Sequence, residues 1–247
     1  MLRALQERVA RALPAEEVAY AGEWRLRAAP ESSWWVGTAQ PHGPVEDGAL
    51  GSRIAAAEKF YAERGAVTRF QITPGVCPRG LDAELAARGY RWESPVSLQT
   101  APTARVRERV PEDGLSVRVD TRPSQDWFAV WHAAHGGDPA AERAMIARVR
   151  EPSAYARVLL DGEAVAVGRA VAEGGWAGVF SMATLPRACG RGAARRVLAA
   201  LAEWAEGAGA ETLYLQVTCE NAAALRLYAR TGFEEVCTYH YRTAAPH

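Results

Sequence analysis

The length, composition and charge of the chain exclude several classes of protein. Its 247 residues suffice for one large domain or two small ones, and a hydrophobic content of 49% lets it bury a core, which excludes disordered and collagen-like chains. The 29 Lys and Arg residues balance 29 Asp and Glu residues, and without a basic excess the chain is not expected to bind a nucleic-acid backbone.

The first half of the chain is predicted to mix helices with strands. In chain order, the pattern predicts a helix over 2–12, strands over 24–28 and 32–38, a helix over 50–64, a strand over 67–73, a helix over 81–88 and a strand over 90–99. The stretch 100–114 is rich in proline and charge and is predicted to be a linker.

The second half repeats this alternation. The predicted elements are a strand over 115–121, helices over 125–135 and 139–150, a hairpin of 155–161 with 163–172, a strand over 176–185, a helix over 193–206, a strand over 212–218, a helix over 221–230 and a strand over 233–242. Strands and helices in this order predict a mixed sheet with helices on its faces.

The two halves also resemble each other in sequence. The triplet FQI at 70–72 corresponds to LQV at 215–217, and LAARGY at 85–90 corresponds to YARTGF at 228–233 at nearly the same separation. In both halves a strand is followed by a helix that ends near a glycine and an aromatic residue. Two matches in one order favour an internal duplication.

The segment between the strand at 176–185 and the next helix has the character of an anion site. Gly190 and Gly192 let the backbone approach a ligand, and a helix that begins at Gly192 or Ala193 directs unpaired amides and its positive dipole end at that point. Four arginines in the same segment could reach further phosphates: Arg187, Arg191, Arg195 and Arg196. An ordinary turn with exposed arginines explains the same letters equally well.

A second informative block follows the next strand. Asn221 and Tyr228 are seven residues apart, close to two helical turns, and therefore share one face of the predicted helix. A purely structural role also explains each residue: Asn221 as the N-cap of that helix and Tyr228 as a half-buried ring.

These two blocks resemble the GNAT superfamily of N-acetyltransferases, which bind acetyl-CoA. The family pattern Arg/Gln-x-x-Gly-x-Gly/Ala is matched best by Cys189-x-x-Gly192-x-Ala194, with Cys189 where the family has Arg or Gln. The alternative register, Arg187-x-x-Gly190-x-Gly192, fits the letters better but begins the helix two residues early. The second family pattern, Asn-x-x-Ala-x-x-x-Tyr-x-x-x-Gly-Phe, is matched by Asn221, Ala224, Tyr228, Gly232 and Phe233.

The resemblance covers 115–242 well, and the first half resembles the degenerate first copy of some two-copy bacterial members. It implies an α/β (α+β) fold of two GNAT-like mixed sheets flanked by helices, with a degenerate domain at 1–104 and a catalytic domain at 105–247. The positions that match Tyr228 and Asn221 in the first half hold Leu85 and Pro78, so we expect one active site per chain.

The resemblance also implies a reaction, the transfer of an acetyl group from acetyl-CoA to a primary amine that attacks the thioester directly. Pantetheine is expected beside the strand at 182–184, the diphosphate on the amides of 190–195, and the oxyanion on an amide near Ala183. Tyr228 is the implied general acid, since an ordinary tyrosine pKa of about 10 keeps its proton in place at neutral pH. The implied acetyl-CoA contacts are Met182, Ala183, Thr184, Cys189, Gly190, Arg191, Gly192, Ala193, Ala194, Arg195, Asn221 and Tyr228.

Neither the general base nor the acceptor is evident from the sequence. The strand segment 175–185 has no carboxylate, which leaves His132, His135, Asp138, Glu220 or a water relay as the base. The acceptor is an amine of a small molecule or peptide, and a cleft for it could be lined by Trp34, Trp35, Trp127 and Trp131, although core packing is the more common role of such residues. A non-catalytic acyl-CoA-binding module is the alternative to an enzyme.

The remaining features bear on location and partners. The cysteines Cys77, Cys189, Cys219 and Cys237 form no CxxC pair, and the His132/His135 pair lacks further ligands, so no metal is expected. No stretch has the roughly 20 apolar residues of a membrane span, and the N-terminus lacks a signal-peptide core. We expect a cytoplasmic monomer or homodimer that binds neither membrane nor nucleic acid.

Overall fold

A computed structural model describes residues 1–30, 32–46, 48–110 and 114–245. Within these ranges the chain forms one mixed sheet of eleven strands with eight α-helices on its faces. The helices are α1 (Leu2–Ala12), α2 (Leu50–Ala62), α3 (Leu81–Ala87), α4 (Thr103–Glu108), α5 (Gln125–His135), α6 (Pro139–Ala147), α7 (Ala193–Gly207) and α8 (Ala222–Arg230). The strands are β1 (Glu17–Ala21), β2 (Trp24–Ala28), β3 (Ala39–Gln40), β4 (Arg69–Ile72), β5 (Arg91–Pro102), β6 (Ser116–Asp120), β7 (Ser153–Leu160), β8 (Glu163–Glu173), β9 (Trp176–Thr184), β10 (Thr212–Thr218) and β11 (Glu234–Thr243).

The two halves share this sheet by exchanging their closing strands. The strand order is β1-β2-β3-β4-β11-β5-β10-β9-β8-β7-β6. The last strand of the first half, β5, pairs antiparallel with β10 and β11, both from the second half. The last strand of the second half, β11, lies between β4 and β5. The prediction of two separate sheets is therefore wrong, because each half completes the sheet of the other.

Two local predictions in the first half are also wrong. The predicted strand over 32–38 forms turns, and the strand at this place is the two-residue β3. The edge strand β1 is absent from the predicted elements, and its side chains Val18 and Tyr20 are exposed.

The predicted linker over 100–114 is part of the fold. β5 continues to Pro102, and α4 follows without a break. The Thr103 hydroxyl donates to the carbonyl of Ala210 at 2.8 Å, and Val106 is fully buried against α7. The charged face of α4 hid its buried side chains from sequence analysis. Residues 111–113 of the predicted linker lie outside the described ranges.

The buried position of Val106 gives a test of this correction. We expect Val106→Ala to lower the free energy of unfolding by about 2–3 kcal/mol, since it removes two buried methyl groups and leaves a cavity. The matched variant Val119→Ala changes a side chain that is 40% exposed on the edge strand β6 and is expected to cost less than about 1 kcal/mol. Urea denaturation measures both, and equal effects would contradict a packed α4.

The other predicted elements agree with the structure to within a few residues. The predicted helices over 2–12 and 125–135 and the predicted strand over 212–218 have the observed ends. On one face of the sheet, α4, α7 and α8 pack over β7–β10. On the other face, α1, α5 and α6 cover strands of both halves. The first half has its own cluster, in which Leu85, the counterpart of Tyr228, is fully buried.

Candidate active site

The two central parallel strands of the second half separate at their carboxyl ends. β9 and β10 pair only from Thr212↔Trp176 to Leu215↔Val179. Beyond Val179, the strand β9 continues to Thr184 with β8 as its only neighbour among the described strands. The edge of β9 at 180–184 that faces β10 is therefore open, and its backbone groups can pair with an extended ligand as an added strand does.

A β-bulge lies at the point of separation. Val167 pairs with Ala183 and Arg169 pairs with Phe180, so that Ser181 and Met182 both face Gly168. Ser181 has a φ of 53°, a value that is uncommon for a residue with a side chain and that often marks functional sites. A bulge of this kind bends the strand and redirects its side chains.

Close packing supports the bulge from both faces. A Cβ atom on Gly168 would lie 2.5 Å from the Met182 sulfur, so only glycine allows this approach. The indole Nε1 of Trp127 donates to the Gly168 carbonyl at 3.1 Å. Trp127 is thus a core residue behind the bulge, and Trp131 is also buried in that core. Neither lines an open cleft.

The loop after β9 presents unpaired amides at the start of α7. A 3-10 turn (Pro186–Ala188) leads to the N-cap Gly192, whose φ of 85° favours glycine, and α7 begins at Ala193 as predicted. No backbone or side-chain acceptor within the described ranges is bonded to the amides of Gly190, Gly192, Ala193, Ala194 and Arg195. Amides of this kind at a helix N-terminus form a site for an anion such as a diphosphate.

The arginines of this loop differ in their contacts. Arg187 forms an ion pair with Glu163 at 2.7 Å, whereas Arg191 and Arg195 have exposed side chains and form no ion pair within the described part of the chain. Cys189 is exposed and contacts the Leu185 carbonyl through its sulfur at 3.7 Å. The observed helix start is the one required by the register Cys189-x-x-Gly192-x-Ala194.

The block that begins at Asn221 forms α8. The Asn221 side chain accepts a hydrogen bond from the Ala224 amide at 3.0 Å and so caps this helix. Tyr228 is 6% exposed and packs against Phe233 with 5.7 Å between ring centroids. Burial alone raises the pKa of Tyr228 to about 12, so its hydroxyl keeps its proton across the physiological range.

Sequence reasoning missed a carboxylate that the fold brings to the bulge. The Glu142 carboxylate of α6 accepts a hydrogen bond from the Ser181 hydroxyl at 3.3 Å. Burial raises the pKa of Glu142, against the opposing effects of Arg169 and Ser181. No local signal reveals this role, because Glu142 occupies an ordinary helical sequence and its partners lie on β8 and β9.

The four candidate bases named from the sequence differ in their distance from the bulge and in their contacts. The ring nitrogen Nδ1 of His132 lies 2.7 Å from the Gly137 carbonyl, and Asp138 caps α6 by accepting from the Ala140 amide at 2.8 Å. Glu220 is exposed in the turn before α8. His135 lies near the bulge, where burial lowers its pKa and a hydrogen bond with the Met182 backbone opposes that shift.

Among the described residues of the first half, no equivalent opening lies beside its parallel strands. Its counterpart of β9 is the two-residue β3, which pairs with β4 at a single position. Buried glutamines occupy the space beside this pair, since Gln40 donates to Gln71 at 3.0 Å and Gln71 donates to Gln6 of α1 at 2.6 Å. The Gln6 side chain of α1 thus occupies the place in the first half that corresponds to the opening in the second half.

Trp35 is partly buried against the core, and Trp34 stacks edge-on to Tyr241 at 4.9 Å. The described residues contain no group of three or more His, Cys, Asp or Glu side chains with the geometry to hold a metal ion. None of the described helices has the length and apolar character needed to cross a membrane.

Comparison with known sequences identifies the family. A family model described as "Probable histone acetyltransferase Rv0428c C-terminal" matches residues 1–242. A protein of Bacillus subtilis (strain 168), "Uncharacterized N-acetyltransferase YobR", is 26% identical over 250 residues, which cover 98% of each chain.

Solved structures show the same fold along almost the whole chain. A GCN5-related N-acetyltransferase from Kribbella flavida superposes with a TM-score of 0.76 at 19% identity and covers 98% of this chain and 94% of its own. A tandem GNAT protein from the clavulanic acid biosynthesis pathway superposes with a TM-score of 0.70 at 14% identity, with 95% and 85% covered. The predicted resemblance to GNAT proteins is confirmed at the level of the fold. The chain belongs to the Rv0428c C-terminal family and has the GNAT N-acetyltransferase fold.

Proposed function

We propose that this protein is an N-acetyltransferase that transfers the acetyl group of acetyl-CoA to a primary amine, with one active site in residues 105–247. The observation that carries this proposal is the open edge of β9 beside the unpaired amides of α7. An extended arm and a diphosphate are the two parts of coenzyme A that such an arrangement fits.

Different segments of the second half contact different parts of the coenzyme in this proposal. The strand residues Met182, Ala183 and Thr184 offer backbone groups to the pantetheine arm. The loop and first turn of α7 offer amides to the diphosphate, with Arg191 and Arg195 free to add positive charge. The full set proposed to contact acetyl-CoA is Met182, Ala183, Thr184, Cys189, Gly190, Arg191, Gly192, Ala193, Ala194, Arg195, Asn221 and Tyr228. The Cys189 side chain is the one departure from the family pattern, and it leaves the backbone amides unaffected.

The opening lets groups on opposite faces of the sheet act on one bond. Tyr228 belongs to the core on the α7 and α8 face, whereas Phe180 and Ala183 of β9 face the core on the α1, α5 and α6 face. We propose that the thioester lies in the gap between β9 and β10, with Tyr228 near its sulfur. The acceptor amine then approaches from the face of α5 and α6.

Orientation and hydrogen bonding supply the catalysis in this proposal. A backbone amide of the bulge near Ala183 holds the carbonyl oxygen as it gains negative charge. Tyr228 donates its hydroxyl proton toward the departing sulfur. A thiol has an ordinary pKa of about 8.5, well below that of buried Tyr228, so the phenolate must regain a proton that the attacking nitrogen loses in the same step.

Acetyl-CoA binding is the direct test. We expect one molecule bound per chain by isothermal titration calorimetry, because the first half has no opening beside β3. At 100 times its dissociation constant, acetyl-CoA is expected to stabilise the protein by about 2.7 kcal/mol, measured as a rise in Tm. Release of free thiol with a panel of primary amines then tests turnover. No thermal shift at millimolar acetyl-CoA would refute the proposal, and binding without thiol release would favour a non-catalytic acyl-CoA-binding module.

A further inference from the structure

A half-buried carboxylate lies on the proposed acceptor side of the bulge. The Glu142 carboxylate of α6 is half-buried and accepts the Ser181 hydroxyl hydrogen bond at 3.3 Å. Ser181 belongs to the bulge itself and precedes Met182, a partly exposed residue at the open edge of β9. A group that approaches the open edge from this face therefore meets Glu142.

We propose that Glu142 is the general base of the reaction, which takes a proton from the acceptor ammonium, and that Ser181 positions it. This inference rests on the proposed function. It also narrows the substrate class to amines that are protonated in solution, because a carboxylate attracts an ammonium group and a neutral amine gains little from it.

The charged and polar groups at Glu142 and at the neighbouring bulge come from four elements. Arg169 of β8 is fully buried, donates to the Ala12 carbonyl of α1 at 3.1 Å and stabilises the Glu142 carboxylate through its charge. Tyr155 of β7 interacts with both Arg169 and Glu142, and its pKa is raised chiefly by burial. Ser181 of β9 donates to Glu142, and His135 of α5 contacts the Met182 backbone. One carboxylate oxygen is bonded to Ser181, and Arg169 and Ser181 both oppose the rise in the Glu142 pKa that burial causes.

The protons balance in this scheme. Glu142 takes one proton from the ammonium and passes it to solvent, and the free electron pair of the nitrogen forms the N–C bond to the thioester carbonyl carbon. The C–S bond then breaks, with its electron pair going to sulfur, which receives the Tyr228 proton. A second proton that leaves the nitrogen restores Tyr228. The products are the N-acetylated amine, coenzyme A as a thiol and one proton.

Two acceptors of different basicity test the role of Glu142. Ethylamine is an ammonium ion at pH 7 and needs a base, whereas hydroxylamine is already neutral. We expect Glu142→Gln to slow acetylation of ethylamine about 10²–10⁴-fold, as loss of a general base does, and to slow acetylation of hydroxylamine much less. Free-thiol release measures both rates after subtraction of the uncatalysed reaction.

The pH profile gives a second readout. With ethylamine, the wild-type kcat/KM is expected to fall as the pH decreases through the raised pKa of Glu142, because the carboxyl group is then protonated and cannot accept a proton. Glu142→Gln is expected to lose the inflection at the pKa of Glu142, so that its residual rate follows only the neutral fraction of ethylamine, and Glu142→Asp is expected to keep an inflection at a lower rate. Ser181→Ala is expected to weaken the ethylamine reaction in the same direction as Glu142→Gln.

Glu203→Gln on the exposed side of α7 is the matched control and should leave both rates unchanged. Equal slowing of both acceptors by Glu142→Gln would show a structural role, and an unchanged ethylamine rate would show that another group is the base; either result overturns the inference. If the wild-type protein binds acetyl-CoA but acetylates no amine, the proposed function fails first, and the inference with it.

Discussion

Replacing Tyr228 with phenylalanine is expected to lower kcat by about 10²–10⁴-fold and to leave the acetyl-CoA dissociation constant nearly unchanged. The substitution removes one hydroxyl and keeps the ring that packs against Phe233. Because Tyr228 acts on the sulfur only as the C–S bond breaks, its loss affects the transition state more than the bound ground state. Steady-state thiol release and calorimetric titration measure the two quantities.

The raised pKa of Tyr228 also predicts how the wild-type rate depends on pH in alkaline solution. A general acid must hold its proton, and burial keeps the pKa of Tyr228 at about 12, so titration of this group should not reduce the wild-type rate below that pH. Tyr214→Phe is the matched control, since Tyr214 is a buried tyrosine of β10 in the core of the opposite face. A Tyr228→Phe variant with wild-type kcat would exclude Tyr228 as the acid.

The structure explains which parts of the fold the sequence could reveal. Local periodicity predicts α1 and α7 well, because each buries one continuous stripe of side chains. The exchange of β5 and β11 leaves no such local trace. Both strands follow a helix and a Gly-aromatic pair, and their partners are determined by pairing between residues more than a hundred positions apart, as in Thr100↔Tyr214.

The candidate site divides in the same way. The glycines of the loop and the Asn221/Tyr228 pair are short-range patterns, so the sequence indicates where a helix starts and which face it presents. Glu142 carries no such pattern, since it needs Ser181 and Arg169 from other elements to become a distinctive carboxylate. The positive φ of Ser181 is equally hidden, because the residue there is not a glycine.

The two halves have a similar order of elements but differ at the counterpart of β9. The first half has the order helix, strand, helix, strand of the second in α2, β4, α3 and β5, but its counterpart of β9, the strand β3, has two residues. Buried glutamines close that point, and α1 of the first half instead packs beneath the second. The carbonyl of Ala12, the last residue of α1, accepts a hydrogen bond from Arg169, whose charge acts on Glu142. The first half therefore contacts the buried arginine behind the proposed site of the second.

Placing a carboxylate at the start of α7 is expected to stabilise the free protein and to weaken its binding of acetyl-CoA. Ala194 lies in the first turn of this helix and is partly exposed. An aspartate there gains from the positive end of the helix dipole, so Ala194→Asp should raise the stability of the free protein by about 0.3–1 kcal/mol. The same charge opposes a bound diphosphate, and at a few ångströms with an effective dielectric constant near 20 the repulsion is worth about 3–4 kcal/mol. We therefore expect the acetyl-CoA dissociation constant to rise about 10²–10³-fold.

A matched change in the first half shows whether this effect is specific to the proposed site. Ser52 lies in the first turn of α2, the counterpart of α7, and its side chain is exposed. Ser52→Asp meets the same kind of helix end and should stabilise the free protein similarly, yet it should leave acetyl-CoA binding unchanged, since no opening lies beside β3. Thermal unfolding without ligand and calorimetry with acetyl-CoA measure both effects in each variant. A stabilised Ala194→Asp protein that binds acetyl-CoA as tightly as the wild type would mean that the diphosphate lies away from α7, and weaker binding by Ser52→Asp would mean that the first half takes part in binding.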